Sequence, residues 1–262
     1  MTKIIVDHVS KVYQERRRKR LDPRACGFGE TCTVIEDVNF TVAAGSLVCF
    51  LGPSGCGKST LLRMIAGFIS PSAGRILVDG KVVTGPQTGH IFVFQEDGLF
   101  PWMTARENVA IGARRYSDKQ ERQAQVLEYL DLVGLAGFEN HYPYELSGGM
   151  RRRVEIARAL IANPEILFLD EPFGALDFVT RMQMREEILN VHDMFPTTIL
   201  FITHDIDEAL QLGDHVIVLS ERPSRILEDM HLSHPHPRDV TKDDLARLRQ
   251  RIHFLMGLHS AL

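Results

Sequence analysis

The chain has 262 residues, of which 44% are hydrophobic and 24% charged, and its formal net charge at pH 7 is -4. This composition is typical of a globular protein with a buried core, and the acidic balance argues against nucleic acid as the main partner. No run approaches the 18 apolar residues of a membrane-spanning helix, and the early charges do not fit a secretory signal.

Apolar runs of strand length recur along the chain, and several of them are continuous instead of alternating. They occupy residues 47–51, 76–78, 91–94, 166–169, 199–202 and 216–219. Continuous apolar strands are typical of a mostly parallel sheet that is buried on both faces. The pair Asp79-Gly80 between two short apolar runs predicts a tight hairpin, and therefore some antiparallel sheet as well.

Residues 52–60 read GPSGCGKST and directly follow the first continuous strand, so they fit the pattern G-x-x-x-x-G-K-[ST]. The glycines allow main-chain N–H groups to surround phosphate oxygens, and a helix that begins near Lys58 adds the positive end of its dipole. We therefore expect a phosphate loop made by Gly52, Pro53, Ser54, Gly55, Cys56, Gly57, Lys58, Ser59 and Thr60. Lys58 is expected to reach the β- and γ-phosphates of ATP, and Ser59 to ligate Mg²⁺.

From about residue 97 to residue 162 the pattern changes from strands to helices. Helical segments are predicted over residues 119–132 and 151–161, with no convincing strand between them, and Asn163-Pro164 ends the second. We interpret this stretch as an α-helical subdomain inserted in an α/β core.

Within this stretch, Ser147, Gly148 and Gly149 stand directly before a helix and indicate a second anion-binding turn. A chain with two phosphate-binding turns suggests that two chains share each nucleotide. A simply capped helix is the alternative interpretation.

Asp170 and Glu171 end another apolar strand. An aspartate in that position can hold Mg²⁺ through water, and the adjacent glutamate can polarise an attacking water. Acidic residues at strand ends are often structural, but the phosphate loop earlier in the chain favours the catalytic interpretation.

From about His231 the sequence is rich in proline and histidine, and it then enters a last helix. This helix carries Leu245, Leu248, Ile252 and Leu255 at 3-4-3 spacing. The stripe is expected to dock on the body of the protein, with a dimer contact as the alternative. We divide the chain into an ATPase domain over residues 1–230 and a short C-terminal tail with a helix over residues 231–262.

In their order and spacing these motifs resemble the ATP-binding cassette (ABC) ATPases along nearly the whole chain. The match also includes Tyr13 near the start, Gln95 after a strand, Asp177 in the sequence GALD, and His204 after another strand. The resemblance implies an α/β fold, a P-loop NTPase (RecA-like) core with an antiparallel β subdomain and an inserted α-helical subdomain. It also implies a head-to-tail dimer, of identical or related chains, with two ATP molecules at the interface.

The resemblance also assigns a role to each matched residue. Each ATP touches the phosphate loop of one chain and the Ser147-Gly148-Gly149 turn of the other, while Tyr13 stacks on adenine. A packed surface tyrosine is the alternative for Tyr13. Asp177 links the two sites across the interface.

The remaining matched residues serve the metal and the reaction. The resemblance implies that Gln95 contacts both Mg²⁺ and the attacking water, and that Asp170 and Ser59 complete the metal site. Glu171 is the implied general base, and His204 holds the γ-phosphate.

Residues 99–109, LFPWMTARENV, look like the importer cassettes for nitrate, sulfonate, taurine and bicarbonate. The apolar stretch at residues 98–103 suits a groove that receives a short helix from a membrane subunit, with internal packing as the alternative. We therefore expect transmembrane permease subunits and a second ATPase subunit as partners, and a periplasmic or extracellular substrate-binding protein as an indirect one. The chain is expected to be cytoplasmic and peripheral on the cytoplasmic face of the cell membrane.

Three alternatives are weaker. A chromosome-maintenance or repair ATPase carries long coiled coils between the two phosphate-binding turns, and a translation-associated protein carries two cassettes in one chain. Neither feature is found in this sequence. An ATP-binding regulatory module that does not hydrolyse ATP is disfavoured because Glu171 and His204 are both present.

Two local features depart from the family pattern. Met150 stands where the family usually has glutamine, which puts only a secondary contact in doubt. The segment after Tyr13 is long and basic at residues 15–20, as in a solvated loop, with contact to anionic lipid or a partner as the alternative.

The four cysteines also bear on location. Cys26 and Cys32 lack the second pair of ligands that a structural zinc site needs, although a bridge between them is possible in principle. We expect all four thiols to be free and reduced, as in a cytosolic protein.

Overall fold

In the computed structural model, the described residues are 1–14, 31–195 and 197–257. The basic segment at residues 15–20 and Cys26 lie outside them. The strands are β1 (Thr2–Gln14), β2 (Thr31–Ala43), β3 (Leu47–Leu51), β4 (Ala73–Val78), β5 (Lys81–Val82), β6 (His90–Val93), β7 (Ile166–Asp170), β8 (Thr198–Ile202), β9 (His215–Leu219) and β10 (Ile226–His231). The helices are α1 (Lys58–Ile65), α2 (Ala105–Gly112), α3 (Lys119–Leu132), α4 (Gly148–Leu160), α5 (Phe178–Met194), α6 (Ile206–Leu212) and α7 (Asp243–Leu255).

The chain forms two compact units. Unit 1 comprises Met1–Ala44, Val48–Gln87 and His204–Leu262, and unit 2 comprises Gly45–Leu47 and Thr88–Thr203. Among the described residues, none of the helices is both long enough and apolar enough to cross a membrane. The domain limits expected from the sequence stay a prediction.

Unit 1 contains an antiparallel sheet in the order β2-β1-β4-β5. His8 in β1 and Asp37 in β2 have positive φ angles of 50° and 51°, and the register of the two strands shifts beside them. Such bulges interrupt the alternation of inward and outward side chains. The predicted hairpin is confirmed: β4 and β5 are antiparallel, and Asp79 and Gly80 both have positive φ angles, as a tight two-residue turn requires.

Unit 1 also contains the parallel pair β3 and β9, with β10 antiparallel to β9. Every residue of β3 and β9 is buried, as the continuous apolar runs predict. The docking of the last helix is confirmed, because α7 packs against α6 and buries Leu245 and Ile252. An ion pair of 2.8 Å between Arg249 and Asp207 joins the same two helices.

Unit 2 contains the parallel strands β6, β7 and β8, with β7 paired to both others. All elements between residues 97 and 162 are helical, and α3 has the predicted limits. Helix α4 begins at Gly148, three residues before the predicted start, because the Ser147 side chain accepts a hydrogen bond from the Met150 N–H and caps the helix there.

One expectation about the thiols is wrong. Cys49 and Cys56 are free and buried, but Cys32, at the start of β2, is disulfide-bonded. The spacing of Cys26 and Cys32 argues against a zinc site, but spacing along the sequence does not reveal how closely the chain brings two thiols together.

Candidate nucleotide-binding site

The loop from Gly52 to Lys58 joins β3 to α1 and has the shape that anion binding requires. Gly55 and Gly57 have φ angles of 78° and 121°, which side chains with a Cβ rarely adopt. A Cβ on Gly57 would also lie 2.9 Å from the Val34 side chain. The first turn of α1 has neither a side-chain cap nor an acidic residue. A helix that begins in this way can bind an anion from outside at its N-terminus.

Lys58 is only 5% exposed and is folded over this loop. Its Nζ donates hydrogen bonds to the carbonyl oxygens of Gly52 and Pro53, at 2.7 and 3.1 Å. These bonds hold the ammonium group at the rim of the loop, where phosphate oxygens can replace the carbonyl oxygens as acceptors. Ser59 and Thr60 follow in the first turn of α1, half-buried.

Unit 2 brings Gln95, Asp170 and Glu171 together at the end of its parallel strands. Asp170 is the last residue of β7 and is 1% exposed, whereas Glu171 is half-buried. The Glu171 side chain lies 3.5 Å from Nε2 of Gln95, measured at Oε2. Glu171 has a φ angle of 48°, and its N–H donates to the carbonyl oxygen of Ile202 at 3.1 Å. A strained, tethered backbone of this kind is common at functional sites.

Mg²⁺ prefers oxygen ligands, chiefly carboxylates, phosphates and water. In unit 2, the buried Asp170 carboxylate and the exposed Gln95 side chain supply oxygen atoms of this kind. The donor set therefore fits the metal that a nucleotide phosphate requires.

A buried arginine that the sequence analysis did not single out braces this cluster. Arg152 of α4 is 6% exposed, and it donates to the carbonyl oxygens of Asp170 at 3.0 Å and Pro172 at 2.9 Å. Its Nη1 also donates to the carbonyl oxygen of Phe94, the residue before Gln95. One guanidinium thus holds the main chain on both sides of the Gln95, Asp170 and Glu171 cluster.

Glu155 extends this brace. It is 4% exposed, its Oε2 forms an ion pair of 2.8 Å with Arg152, and its Oε1 accepts a hydrogen bond from the Gly98 N–H. Arg158, one turn later on α4, donates to the Gly98 carbonyl oxygen at 2.9 Å. The helix that begins at the Ser147 turn is therefore tied to the segment after Gln95. The sequence alone can reveal two charged residues at positions i and i+3 of a helix. It cannot reveal which main-chain groups these residues contact.

In the Ser147 turn, Ser147 is exposed and is followed by Gly148 and Gly149, which begin the first turn of α4. Asp177 caps α5 in a similar way. Its carboxylate accepts hydrogen bonds from the Thr180 hydroxyl at 2.6 Å and the Thr180 N–H at 3.1 Å. These bonds lower the pKa of Asp177, the hydroxyl bond most, so the group stays ionised.

Tyr13 and His204 both belong to unit 1. Tyr13 lies near the end of β1, is 42% exposed, and has the Lys11 ammonium 5.1 Å from its ring centre. The Tyr13 side chain is therefore partly open to solvent, as adenine stacking requires. His204 is exposed and directly precedes Asp205, which caps α6.

The aromatic loop at residues 98–103 lies on the surface of unit 2 but is rigidly held. Asn108 is fully buried; its side chain accepts from the Phe100 N–H and donates to the carbonyl oxygens of Phe100, Met103 and Thr104. Trp102 is nevertheless 68% exposed, and its ring contacts Phe100 at 5.4 Å. Internal packing thus accounts for the loop backbone and leaves the Trp102 side chain available.

Comparison with known proteins gives consistent matches. A sequence model described as ABC transporter matches residues 35–174. The aliphatic sulfonates import ATP-binding protein SsuB of Bacillus cereus (strain ATCC 10987 / NRS 248) is 41% identical over 249 residues, which cover 95% of this chain and 94% of that protein. The taurine import ATP-binding protein TauB of Rhizobium johnstonii is 48% identical over 223 residues, which cover 85% of this chain and 81% of that protein.

The solved structures that resemble this chain include a dimeric post-hydrolysis state of the ATP-binding cassette MJ0796 bound to ADP and Pi. That structure superimposes with a TM-score of 0.75 at 30% identity and covers 88% of this chain and 100% of its own.

Proposed function

Because this chain belongs to the ABC transporter family, we propose that it powers the import of a sulfonate-type solute through a partner membrane permease. It is an ATPase with the predicted P-loop α/β fold of an ATP-binding cassette. The observation that carries the proposal is the similarity to sulfonate and taurine import subunits over most of both chains. The proposed location, on the cytoplasmic face of the membrane, follows from this role.

In the proposed reaction, the loop from Gly52 to Thr60 binds the phosphates of ATP, and Lys58 transfers its hydrogen bonds from loop carbonyls to phosphate oxygens. Ser59, Gln95 and Asp170 would hold Mg²⁺, which would neutralise charge on the phosphates. Glu171 accepts the proton of the attacking water, and the amide of Gln95 orients that carboxylate.

His204 would donate to the γ-phosphate, and Tyr13 would stack on the adenine ring. Both residues are exposed enough to meet a ligand. Their contributions are positioning and charge stabilisation, since phosphoryl transfer needs little covalent help from the protein.

We place a second ATPase subunit against the surface around the Ser147 turn and Asp177. Phe178, Val179 and Met182, at the start of α5, are 72%, 62% and 47% exposed. An apolar cluster of this exposure beside an ionised Asp177 is unusual for a free surface and fits a buried interface. The resemblance to dimeric cassette structures supports the same arrangement.

The proposed permease contact is the loop that carries Phe100 and Trp102. Asn108 fixes the backbone of this loop. Binding of a partner at Trp102 therefore does not have to order the loop first, which would cost conformational entropy. Tryptophan is also among the residues that contribute most binding energy at interfaces. Arg152 and Glu155 connect this loop to the cluster of Gln95, Asp170 and Glu171, which is called the hydrolytic cluster below.

Uptake of labelled taurine and ethanesulfonate by a strain that lacks this gene tests the proposal. Re-expression of the wild-type chain should restore uptake of at least one of these solutes, and the Glu171→Gln chain should not. Equal uptake with and without the gene, for both solutes, would contradict a sulfonate-type importer.

A further inference from the structure

A group of metal-ligating side chains lies on the β9–β10 hairpin, apart from the motifs of the nucleotide site. It consists of His215 in β9 and Asp229 and His231 in β10. His215 and His231 face each other across the two antiparallel strands, and Asp229 precedes His231 by two residues. All three side chains therefore lie on one face of the hairpin.

The donor atoms of this group are close together. Nε2 of His215 lies 2.5 Å from Oδ1 of Asp229, and the rings of His215 and His231 stack with centres 4.1 Å apart. One ligand atom from each residue can be chosen so that all three lie within 4.8 Å of one another. Ligand atoms at this spacing can converge on a single cation, whose bonds to nitrogen and oxygen are about 2.0–2.2 Å.

Burial and access also suit a metal. The side chain of His215 is 3% exposed, while Asp229 and His231 are exposed above it. Asp229 also lines a cavity of about 440 Å³ together with Glu36, Asp37 and Arg225. Two of the three proposed ligands, Asp229 and His231, are therefore open to a cation from solvent.

The donor set identifies the class of cation. Two imidazole nitrogens and one carboxylate oxygen are typical ligands of Zn²⁺ and its neighbours Co²⁺ and Ni²⁺, whereas Mg²⁺ prefers oxygen ligands. Three protein ligands leave one position for water.

We propose that His215, Asp229 and His231 form a binding site for one divalent transition-metal ion, of the Zn²⁺ class, on the β9–β10 hairpin. Binding displaces the proton held between His215 and Asp229 to solvent and joins the two strands through the ion. The three ligands lie outside the motifs assigned to ATP and to its Mg²⁺.

Calorimetric titration of the full, untagged chain with Zn²⁺ tests this proposal, in excess Mg²⁺ and without nucleotide, because ATP itself binds Zn²⁺ and its hydrolysis releases heat. The wild-type chain should bind one Zn²⁺ per chain. His231→Ala and Asp229→Asn should each weaken binding at least tenfold, because the first removes one of three ligands and the second removes the negative charge of another. Both residues are exposed, so these variants are expected to fold; buried His215 is not used.

His8→Ala is the matched control, because His8 and Asp37 form an exposed histidine–carboxylate pair, at 2.7 Å, with no third ligand among the residues that the structure describes. It should leave Zn²⁺ affinity unchanged. Titration with Co²⁺ should give the visible absorption of a nitrogen- and oxygen-ligated site in the wild type, and His231→Ala should lose it. Absence of stoichiometric binding, or binding that His231→Ala leaves intact, would overturn the proposal.

Discussion

Arg152 donates a hydrogen bond of 3.0 Å to the main-chain oxygen of Asp170. This contact joins α4, which begins at the Ser147 turn, to the strand end that carries the proposed metal ligand and base. Further bonds from the same guanidinium reach Pro172 and Phe94. The structure thus provides a direct path from the proposed interface turn to the hydrolytic cluster.

Arg152→Met should lower both stability and turnover. The substitution removes the donors to three carbonyl oxygens and leaves Glu155 buried without its cation, and loss of one partner of a buried pair costs about 3–5 kcal/mol. We expect a lower unfolding midpoint and a reduced kcat for ATP, with KM less affected.

The double variant Arg152→Met/Glu155→Leu separates positioning from stability. Removal of the second charge relieves the buried carboxylate, so most of the lost stability should return. If the hydrogen bonds to Phe94, Asp170 and Pro172 position the cluster, kcat stays low in the double variant. Full recovery of kcat together with stability would show that Arg152 serves folding alone.

Lys58→Ala should weaken ATP binding. Hydrogen bonds to charged groups contribute about 1.5–3 kcal/mol, so the loss corresponds to roughly a 10- to 150-fold higher Kd in calorimetry. Lys3→Ala is the control, because the Lys3 ammonium is also hydrogen-bonded, to the Asp79 carboxylate at 2.6 Å, but lies outside the phosphate loop. Equal losses in the two variants would argue against a phosphate role for Lys58.

Glu171→Gln should bind ATP with unchanged affinity but hydrolyse it slowly. The amide keeps the shape of the side chain and cannot accept a proton, and general-base catalysis contributes about 10²- to 10⁴-fold. Single-turnover phosphate release measures the chemical step without product release. Wild-type release by this variant would remove Glu171 from the role of base.

Trp102→Ala should uncouple transport from hydrolysis. The side chain is 68% exposed and contributes little to the fold, whereas Asn108 holds the loop without it. In vesicles that contain the permease, solute uptake should fall at least tenfold while the ATPase activity of the isolated chain is retained. Phe68→Ala, which truncates another exposed aromatic ring, is the control. Parallel loss of uptake and of isolated-chain activity would indicate a packing role instead.

The sequence predicts the elements whose signals are local. The apolar run at residues 166–169 becomes the buried core of β7, and the helix over residues 119–132 has the predicted limits. No regular alternation of apolar residues marks the two long strands β1 and β2, because the bulges at His8 and Asp37 interrupt that pattern. A bulge shifts which side chains point inward, so no single period describes the whole strand.

The site shows the same division. The phosphate loop and the acidic pair at Asp170 are contiguous motifs, so they are readable from the sequence. The brace is not, because Arg152 reaches carbonyls 18, 20 and 58 residues away. Main-chain acceptors carry no residue identity, and only the fold shows which of them a buried arginine meets.

The solution mass of the Glu171→Gln chain, measured by light scattering with and without Mg-ATP, tests most directly whether two chains share each nucleotide. Slow hydrolysis in this variant should trap the shared state, so we predict a monomer without nucleotide and a dimer with Mg-ATP. Ser147→Arg, which would block the proposed partner-facing turn, should prevent the shift. Suppose that the Glu171→Gln chain binds Mg-ATP but stays monomeric when alone, and that only one copy of it binds to the permease. This result would contradict the shared site.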